Sequence, residues 1–376
     1  MASLKTTVAG IALDCCIYNA SGPRTGTVNA LVKIGESRSG AVLSKSATLL
    51  CQDGNPLPRY KEFPLGDACP GSINSEGLPN QGIDYYISEE VVSAIGSLAK
   101  HYFVSLSGLS LADNLEMLSR AMKVQGIAAI ELNLACPNIP GKPTMAYDFE
   151  QMDAVLQAVT THPSFGSKPL GVKLAPYFDV PHFQRAASIL NKYPIKYVVC
   201  TNTIGNALVV DAENEQALIK PKAGFGGLGG AYVKPIALAN VRQFSQLLRE
   251  DIDVVGVGGV ASGTDAFELI LCGAKAVQVG TKHWSEGASC FNRISEELSV
   301  LMTKKGYKSI EEFRGKLKEN FCRPKAAPVV PKAANDGQGS AGGISALHVL
   351  QIVLCILVAV FLAREFKVTS KDVAAL

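Results

Sequence analysis

Two lysines, two asparagines and a cysteine are the residues of this sequence best placed to do chemistry. Lys45 and Lys173 each interrupt an apolar run close to its end, where a buried ammonium group is costly unless it meets an anion or faces a cavity. Asn133 and Cys136 follow a third apolar run, ahead of a Pro- and Gly-rich stretch that contains Asn138. The lysines favour contact with an anionic ligand over an internal ion pair. The Cys136 thiol could serve as a general base, as a nucleophile or only as a small buried side chain.

Two glycine turns predict a site for a phosphate group. The runs at 254–259 (VVGVGG) and 276–281 (AVQVGT) each end an apolar stretch in glycine, and the turns after the last two strands of a (β/α)₈ barrel commonly bind phosphate through backbone N–H groups. Tight turns alone would explain one such run, whereas two at this spacing favour a phosphate-bearing ligand. A third run at 224–230 (GFGGLGG) could be a flexible loop or another wall of the same site. The residues expected to approach the phosphate are Gly258, Gly259, Gly280 and Thr281.

Short β-rich runs alternate with helical patterns along the first 320 residues, as expected for repeated βα units around a parallel sheet. We predict an α/β fold, a (β/α)₈ TIM barrel with loop insertions. Because the C-terminal ends of barrel strands face the active site, this fold places the lysines, the asparagines and the glycine turns at one mouth. The long connections at 49–88 and 205–232 are predicted to form hairpins or lids. The eight predicted strands span residues 17–21, 41–46, 102–107, 128–134, 170–174, 197–202, 253–258 and 276–281.

The composition changes after the barrel sequence and predicts three further segments. Residues 324–343 are rich in Pro, Gly and polar residues, which predicts a flexible linker after a catalytic domain at 1–323. Residues 344–363 contain no Asp, Glu, Lys or Arg, and a helix of this length spans about 30 Å, the thickness of a bilayer's hydrocarbon core. We therefore predict a single C-terminal transmembrane helix, followed by a short polar tail at 364–376; a buried or peripheral helix is the alternative.

The N-terminus and the overall composition limit the location and the partners of the chain. The N-terminus has neither the apolar core of a secretory signal nor the Arg-rich character of a transit peptide, so we expect the catalytic domain in the cytosol, anchored to a membrane that the sequence does not identify. The net charge of +3 and the scattered Lys and Arg residues argue against a nucleic-acid partner. The ten cysteines lack metal-ligand spacings, so we expect no metal site, and they fit a reducing compartment.

Six motifs between about residues 8 and 318 identify a family. They are NASG at 19–22, GNPLPRY at 54–60, GSINS at 71–75, GLPN at 77–80, GVKL at 171–174 and GGLGGAY at 226–232. On these motifs the chain closely resembles the class 1A dihydroorotate dehydrogenases, which are fumarate-linked flavoenzymes. The resemblance implies that FMN lies over the barrel mouth, that dihydroorotate stacks on it, and that the barrel domain forms a homodimer.

The resemblance also assigns residues to the two ligands. The implied FMN contacts are Ser21, Lys45, Ser46, Asn133, Lys173 and Thr201, with the phosphate near Gly230, Gly258, Gly259, Gly280 and Thr281. The implied substrate contacts are Lys45, Asn74, Asn133, Asn138, Asn202, Thr203 and the backbone around Glu76, Gly77 and Leu78. Neutral amides suit dihydroorotate because its ring presents both N–H donors and carbonyl acceptors, and an asparagine side chain can form hydrogen bonds with either.

The implied reaction is the oxidation of (S)-dihydroorotate to orotate in de novo pyrimidine (UMP) biosynthesis. Cys136 removes the C5 proton as general base while hydride passes from C6 to the flavin, and fumarate then takes the electrons and leaves as succinate. The alternatives are an FMN barrel that acts on another dihydropyrimidine, quinone-linked dihydroorotate oxidation at a membrane, and a tethered interaction protein without turnover. The quinone-linked alternative is disfavoured because members of that type resemble one another in an N-terminal helical extension and a serine base.

Three substitutions and an insertion depart from the family's pattern. The chain has Glu76 where members usually have Met, Ala135 and Thr203 where they usually have Ser, and a short insertion near residues 67–70. A carboxylate that faced the pocket would repel an anionic substrate, so Glu76 must point outward, be neutralised, or mark altered specificity. Loss of the hydroxyl at Ala135 is expected to slow proton movement without changing the reaction.

Overall fold

The structure is a computed structural model that describes residues 2–65, 68–135 and 144–318. These residues lie in one compact unit, Met1–Lys318, and a second unit, Glu319–Leu376, lies outside the described residues. The strands of the described part are β1 (Thr6–Val8), β2 (Ile11–Leu13), β3 (Ile17–Asn19), β4 (Ala41–Leu43), β5 (Tyr60–Leu65), β6 (Ala68–Asn74), β7 (His101–Leu106), β8 (Ile127–Asn133), β9 (Leu170–Leu174), β10 (Tyr197–Cys200), β11 (Ile204–Ala207), β12 (Val210–Asp211), β13 (Gln216–Ala217), β14 (Gly226–Gly230), β15 (Asp253–Val257) and β16 (Ala276–Val279). Its α-helices are α1 (Val28–Gly35), α2 (Ile83–Tyr86), α3 (Glu89–Gly96), α4 (Leu111–Lys123), α5 (Phe149–Thr161), α6 (Val180–Leu190), α7 (Lys234–Leu247), α8 (Gly263–Cys272), α9 (Thr281–Glu286) and α10 (Ser289–Lys304).

Eight parallel strands form the central barrel, in the order β3, β16, β15, β10, β9, β8, β7 and β4. The sheet closes between β3 and β4, where the side chain of Asn19 takes the place of a backbone ladder. Its Nδ2 donates to the carbonyl oxygen of Leu43 (2.7 Å), and its Oδ1 accepts from the backbone N–H of Leu43 (2.9 Å). Each of the eight predicted strands overlaps one of these, and the predicted (β/α)₈ barrel is confirmed.

Helices cover the outside of the barrel because the segments after the strands begin with capping residues and carry one apolar face. Ser110, Asp179 and Ser262 accept hydrogen bonds from backbone N–H groups at the starts of α4, α6 and α8, which satisfies donors that a helix start leaves unpaired. Pro181 and Pro235 stand in the first turns of α6 and α7, where proline fits without losing a hydrogen bond. The buried apolar side chains of these helices form one cluster with those of the strands.

Inward-facing side chains fill the barrel, and a hairpin lies at the N-terminal end of its strands. The hairpin consists of β1 and β2, and its Val8 and Leu13 belong to the same buried cluster as the inner side chains of the barrel strands. The backbone N–H of Ala9 donates to Asp253 Oδ2 (2.8 Å) at the start of β15. No pattern in the sequence predicted this hairpin. It leaves the opposite end, where the strands terminate, as the open mouth.

The two long connections predicted as hairpins or lids pair with each other. Strands β5 and β6 come from the first connection and β11 and β14 from the second, and they form one antiparallel sheet in the order β11, β14, β6, β5. The register places Gly227 opposite Asn74 and Gly230 opposite Gly71. This sheet carries residues from both connections to the mouth of the barrel.

The helices of the described residues are too short or too polar to cross a bilayer. The longest of them, α10, has 16 residues, which is about 24 Å, and it includes Arg293 and Glu297. The predicted transmembrane helix at 344–363, with its linker at 324–343 and its tail at 364–376, lies outside the described residues. The predicted location, a catalytic domain in the cytosol anchored to a membrane by one C-terminal helix, is contradicted by this finding, and we withdraw it.

Candidate active site

A cavity lies at the C-terminal ends of the barrel strands. It holds about 1130 Å³ of empty space, part of which is open solvent. The predicted site residues that line it are Ser21, Lys45, Ser46, Asn74, Glu76, Leu78, Asn133, Lys173, Thr201, Asn202, Thr203, Gly230, Gly258, Gly259, Gly280 and Thr281. Gly77 is described but does not line the cavity, and Cys136 and Asn138 lie outside the described residues. The fold therefore brings all the predicted FMN residues, and the predicted substrate residues other than Gly77 and Asn138, together in one site.

Hydroxyl and amide side chains from neighbouring strands form a hydrogen-bonded row along the cavity. Ser46 Oγ lies 3.0 Å from Ser21 Oγ and 2.9 Å from Ser105 Oγ, and it accepts a hydrogen bond from Asn133 Nδ2 (3.2 Å). Asn133 Oδ1 accepts from the backbone N–H of Ala135 (3.0 Å). These contacts fix the orientation of the Asn133 amide. The row offers both donors and acceptors to the edge of a polar ring.

A buried lysine and a buried glutamate lie inside the barrel beside this row. Lys173 on β9 pairs in register with Asn133 on β8, and Glu131 precedes Asn133 by two residues, so both side chains of β8 point to the same face. Burial lowers the pKa of Lys173, and the attraction of Glu131 partly offsets that effect. Burial also raises the pKa of Glu131, against the opposing effects of Lys173 and of a hydrogen bond from Gln278. Glu131 Oε2 accepts that bond from Gln278 Nε2 (3.0 Å), whereas its Oε1 has no hydrogen-bond partner among the described residues.

Two further asparagines hold backbone segments at the edge of the cavity. Asn202 Nδ2 donates to the carbonyl oxygen of Ala135 (2.9 Å), and Asn74 Nδ2 donates to that of Gly227 (3.2 Å). Ala135 directly precedes Cys136 in the sequence. Asn202 therefore fixes the last described residue before the predicted base.

The glycine turns after β15 and β16 form one wall of the cavity. Gly258 and Gly259 have φ angles of +137° and +71°, a region that residues with a side chain rarely adopt. A Cβ atom on Gly259 would lie 2.6 Å from Lys234 Cβ, so the position accepts only glycine. By contrast, a Cβ atom on Gly280 would meet only Ala20 Cβ, 3.8 Å away. This leaves room for a ligand at Gly280.

A buried hydroxyl next to these turns points to a missing hydrogen-bond partner. The backbone N–H of Thr201 donates to the carbonyl oxygen of Val257 (2.9 Å), which places Thr201 beside the turn after β15. Thr201 Oγ1 is buried and has no hydrogen-bond partner within the part of the chain that the structure describes. Buried hydroxyls are almost always paired. The glycine turns, the two buried lysines and this hydroxyl therefore fit a phosphate-bearing flavin nucleotide.

Comparison with known proteins places the chain in a family. A family model described as dihydroorotate dehydrogenase matches residues 3–302. The chain belongs to the dihydroorotate dehydrogenase family. It is 48% identical over 318 residues to the probable dihydroorotate dehydrogenase A (fumarate) of Streptococcus pneumoniae, a match that covers 85% of this chain and 99% of that protein.

Two further relatives carry the fumarate-type name. The chain is 49% identical over 318 residues to the dihydroorotate dehydrogenase (fumarate) of Kluyveromyces lactis, covering 84% of this chain and 98% of that protein. It is 49% identical over 317 residues to the dihydroorotate dehydrogenase A (fumarate) of Lactococcus lactis, covering 84% of this chain and 99% of that protein. The resemblance to fumarate-type dihydroorotate dehydrogenases, inferred from the six motifs, is confirmed.

Two departures from the dihydroorotate dehydrogenase pattern, Glu76 and Thr203, line the cavity, and Glu76 is the one that carries a charge. Its Oε2 is 3.2 Å from Arg59 Nε, and the residue is only 8% exposed. Burial raises the pKa of Glu76, while the nearby charges of Lys45 and Arg59 lower it. Of the three alternatives left open by the sequence, an outward-pointing side chain is excluded. Glu76 lines the site, and its carboxylate is paired with Arg59.

Sequence reasoning missed several residues of this dihydroorotate dehydrogenase site. Trp284, the only tryptophan of the chain, lines the cavity. Its ring centroid lies 4.3 Å from the ring centroid of Tyr60, and Arg24 Cζ lies 5.1 Å from the Trp284 centroid. The available signal was a single tryptophan just after the second glycine turn. Glu131 and Gln278 do not line the cavity, but they are hydrogen-bonded to each other and Glu131 attracts the cavity residue Lys173. They were also missed, although each interrupts an apolar strand as Lys45 and Lys173 do, and this was the available signal.

Proposed function

We propose that this chain oxidises (S)-dihydroorotate to orotate and transfers the electrons to fumarate, forming succinate. The observation that carries the proposal is the convergence of Lys45, Lys173, Asn74, Asn133 and Asn202 on one cavity at the mouth of the barrel. The fumarate-type names of relatives at 48% and 49% identity support it. The reaction is a step of de novo pyrimidine (UMP) biosynthesis.

FMN is the cofactor that we propose for this cavity, and when bound it supplies the hydride acceptor. Two observations support this choice: Thr201 Oγ1 has no hydrogen-bond partner among the described residues, and there is open space at Gly280. The residues proposed to hold the phosphate are Gly230, Gly258, Gly259, Gly280 and Thr281. Those proposed to contact the rest of the cofactor are Ser21, Lys45, Ser46, Asn133, Lys173 and Thr201.

Dihydroorotate is proposed to bind through one ammonium group and several amides. Lys45 is only 7% exposed, so its attraction for the substrate carboxylate is weakened little by water. The asparagine amides form hydrogen bonds with the N–H and carbonyl groups of the ring. The proposed contacts are Lys45, Asn74, Asn133, Asn138, Asn202, Thr203 and the backbone around Glu76, Gly77 and Leu78.

Cys136 is the proposed general base. It follows Ala135, whose backbone is held at the cavity edge by Asn133 and Asn202, and this supports a position next to the substrate. The C5 proton of dihydroorotate is acidified by the adjacent carbonyl group, and a thiolate is needed to accept it. Cys136 itself lies outside the described residues.

Anaerobic mixing of the purified protein with substrate tests the proposed function. The protein is expected to be yellow, to lose its colour with dihydroorotate, and to regain it with fumarate but not with a quinone or NAD⁺. Dihydrouracil lacks the carboxylate that Lys45 would bind, so it should not bleach the protein. Colourless protein, or bleaching by dihydrouracil in preference to dihydroorotate, would contradict the proposal; the second result would favour an FMN barrel for another dihydropyrimidine.

We propose that residues 1–323 form the complete catalytic domain, that residues 324–343 are a linker, and that the domain forms a homodimer. The matches to relatives support the boundary, because 317 to 318 aligned residues cover 98% to 99% of those proteins. A chain that ends at residue 323 is therefore expected to bind FMN and to retain kcat/KM within about two-fold. Light scattering should give twice the mass of one chain. An insoluble or inactive truncated chain would show that later residues belong to the catalytic fold.

Replacing Gly259 with alanine is expected to weaken FMN binding by about ten- to hundred-fold, because its φ of +71° and the 2.6 Å approach to Lys234 Cβ force the turn to move. Quenching of the Trp284 fluorescence by FMN measures the affinity, since this only tryptophan lines the cavity. Gly96→Ala is the control: it lies in α3, and a Cβ atom there meets nothing within 4 Å. Equal FMN affinity in both variants would show that the turn does not hold the phosphate.

A further inference from the structure

Glu76 lies where two cavities meet. It lines the active-site cavity and also an adjoining cleft. Its partner Arg59 is held in place because Nη1 donates to the carbonyl oxygens of Asp53 (2.6 Å) and Asn55 (3.0 Å). The backbone N–H of Asn55 in turn donates to the carbonyl oxygen of Glu76 (2.8 Å). The loop before β5 therefore fixes both the carboxylate and its cation at the edge of the site.

Within the described part of the chain, Lys45, Arg59 and Tyr60 are the titratable or charged groups that act on this carboxylate. Lys45 and Arg59 attract it, and both effects favour the ionised form. The Tyr60 hydroxyl donates to Glu62 Oε1 (3.2 Å), and burial raises the pKa of Tyr60 far above neutral pH, so Tyr60 is uncharged. An ionised Glu76 therefore offsets part of the positive charge that Lys45 and Arg59 bring to this end of the cavity.

We propose that Glu76 matches the cavity to ligands with one carboxylate and makes the binding of ligands with two carboxylates depend on its own protonation. This inference rests on the proposed function. Dihydroorotate and orotate carry one carboxylate, whereas fumarate and succinate carry two. An ionised Glu76 repels a dianion more strongly than a monoanion, and its burial keeps water from screening this repulsion. Uptake of a proton by Glu76 removes the repulsion.

The sign of the pH dependence follows from the state of Glu76. Burial raises the pKa of Glu76 above its ordinary value. Above that pKa, a dianion binds best when Glu76 takes up a proton, so its affinity falls by up to about ten-fold for each unit that the pH rises. The affinity for a monoanion falls less, because Glu76 repels a single negative charge less strongly. Fumarate binding is therefore expected to depend more steeply on pH than orotate binding.

Binding of orotate and fumarate to the oxidised FMN enzyme tests the inference directly. The flavin absorbance reports both dissociation constants between about pH 6 and 8, where both ligands are fully ionised. For the wild-type protein, the dissociation constant of fumarate should rise more steeply with pH than that of orotate. In Glu76→Gln the two slopes should become equal, and fumarate at pH 8 should bind about ten- to hundred-fold more tightly than to the wild-type protein.

Glu62→Gln is the matched control, because Glu62 lines the adjoining cleft but not the active-site cavity. It should leave both slopes unchanged. Glu76→Met provides a second uncharged variant if the glutamine variant loses FMN, and the slopes of the wild-type protein test the inference without any variant.

Three outcomes would contradict the proposed role of Glu76. They are equal pH slopes for orotate and fumarate in the wild-type protein, a fumarate affinity that Glu76→Gln leaves unchanged, and a gain in fumarate affinity in Glu62→Gln equal to that in Glu76→Gln. Bleaching by dihydroorotate, measured on the same preparations, tests the proposed function separately. If dihydroorotate bleaches the protein but the pH slopes for orotate and fumarate are equal, only the proposed role of Glu76 is contradicted. A protein that dihydroorotate does not bleach and that does not bind orotate overturns both.

Discussion

Replacing Cys136 with alanine is expected to slow reduction of the bound flavin by dihydroorotate by about 10²- to 10⁴-fold, the usual contribution of a general base. FMN should remain bound, because none of its proposed contacts is removed. The base acts as a thiolate, so the wild-type rate should rise with pH until the thiol is fully ionised. The alanine variant should lose this dependence. Anaerobic stopped-flow absorbance measures both the rate and its pH profile.

Cys51→Ala is the matched control for this prediction. Cys51 is an exposed cysteine that lines the adjoining cleft but not the active-site cavity, so its removal should change neither the rate nor the pH profile. FMN content establishes that both variants are folded. A Cys136→Ala protein that is reduced at nearly the wild-type rate would show that another group accepts the C5 proton.

The barrel and most residues of its mouth could be predicted because each depends on a short segment of sequence. An apolar run followed by a helical pattern identifies a βα unit, and the parallel arrangement then brings all strand ends to one face. Lys45, Asn133 and Lys173 stand at such ends and line one cavity. Their convergence follows from topology and needs no knowledge of individual contacts.

Features that depend on contacts between distant segments could not be predicted. The sheet over the mouth requires β6 to pair with β14, and neither strand carries a sequence signal for its partner. Closure of the barrel through Asn19 depends in the same way on the position of Leu43. The direction of the Glu76 side chain was left open because it depends on the ion pair with Arg59, a residue 17 positions earlier in the long connection at 49–88. Local pattern fixes which residues reach the mouth, but not how they pair there.

Glu131 shows how a long-range contact changes the role of a residue that was recognised from local pattern. Lys173 was identified because a lysine near the end of a buried strand must meet an anion or a cavity. In the structure it has both: it lines the cavity, and Glu131 attracts it from inside the barrel. The charge that Lys173 presents to the cavity therefore depends on a carboxylate that does not itself line the cavity.

Replacing Lys173 with methionine is expected to make the reduction potential of bound FMN more negative by roughly 40 to 90 mV, which corresponds to about 2 to 4 kcal/mol for one charge at an effective dielectric constant near 20. Lys173 is only 4% exposed, so water screens its charge little. Methionine keeps most of the side-chain volume and removes only the charge. Equilibrium titration against a reference dye measures the potential. Lys196→Met is the control, because Lys196 pairs with Asp251 (3.2 Å) just before β10, at the other end of the barrel.

Glu131→Gln tests whether the buried pair acts as a unit. Burial lowers the pKa of Lys173 and Glu131 raises it, so loss of the carboxylate should lower that pKa further. Lys173 should then lose its proton, and the potential should fall, at a lower pH than in the wild-type protein. The double variant with Lys173→Met should show no such transition, because no lysine remains to titrate. If Lys173→Met leaves the potential unchanged, or if the transition persists in the double variant, another group controls the electrostatics of the flavin site, and the buried pair serves only to fill the barrel.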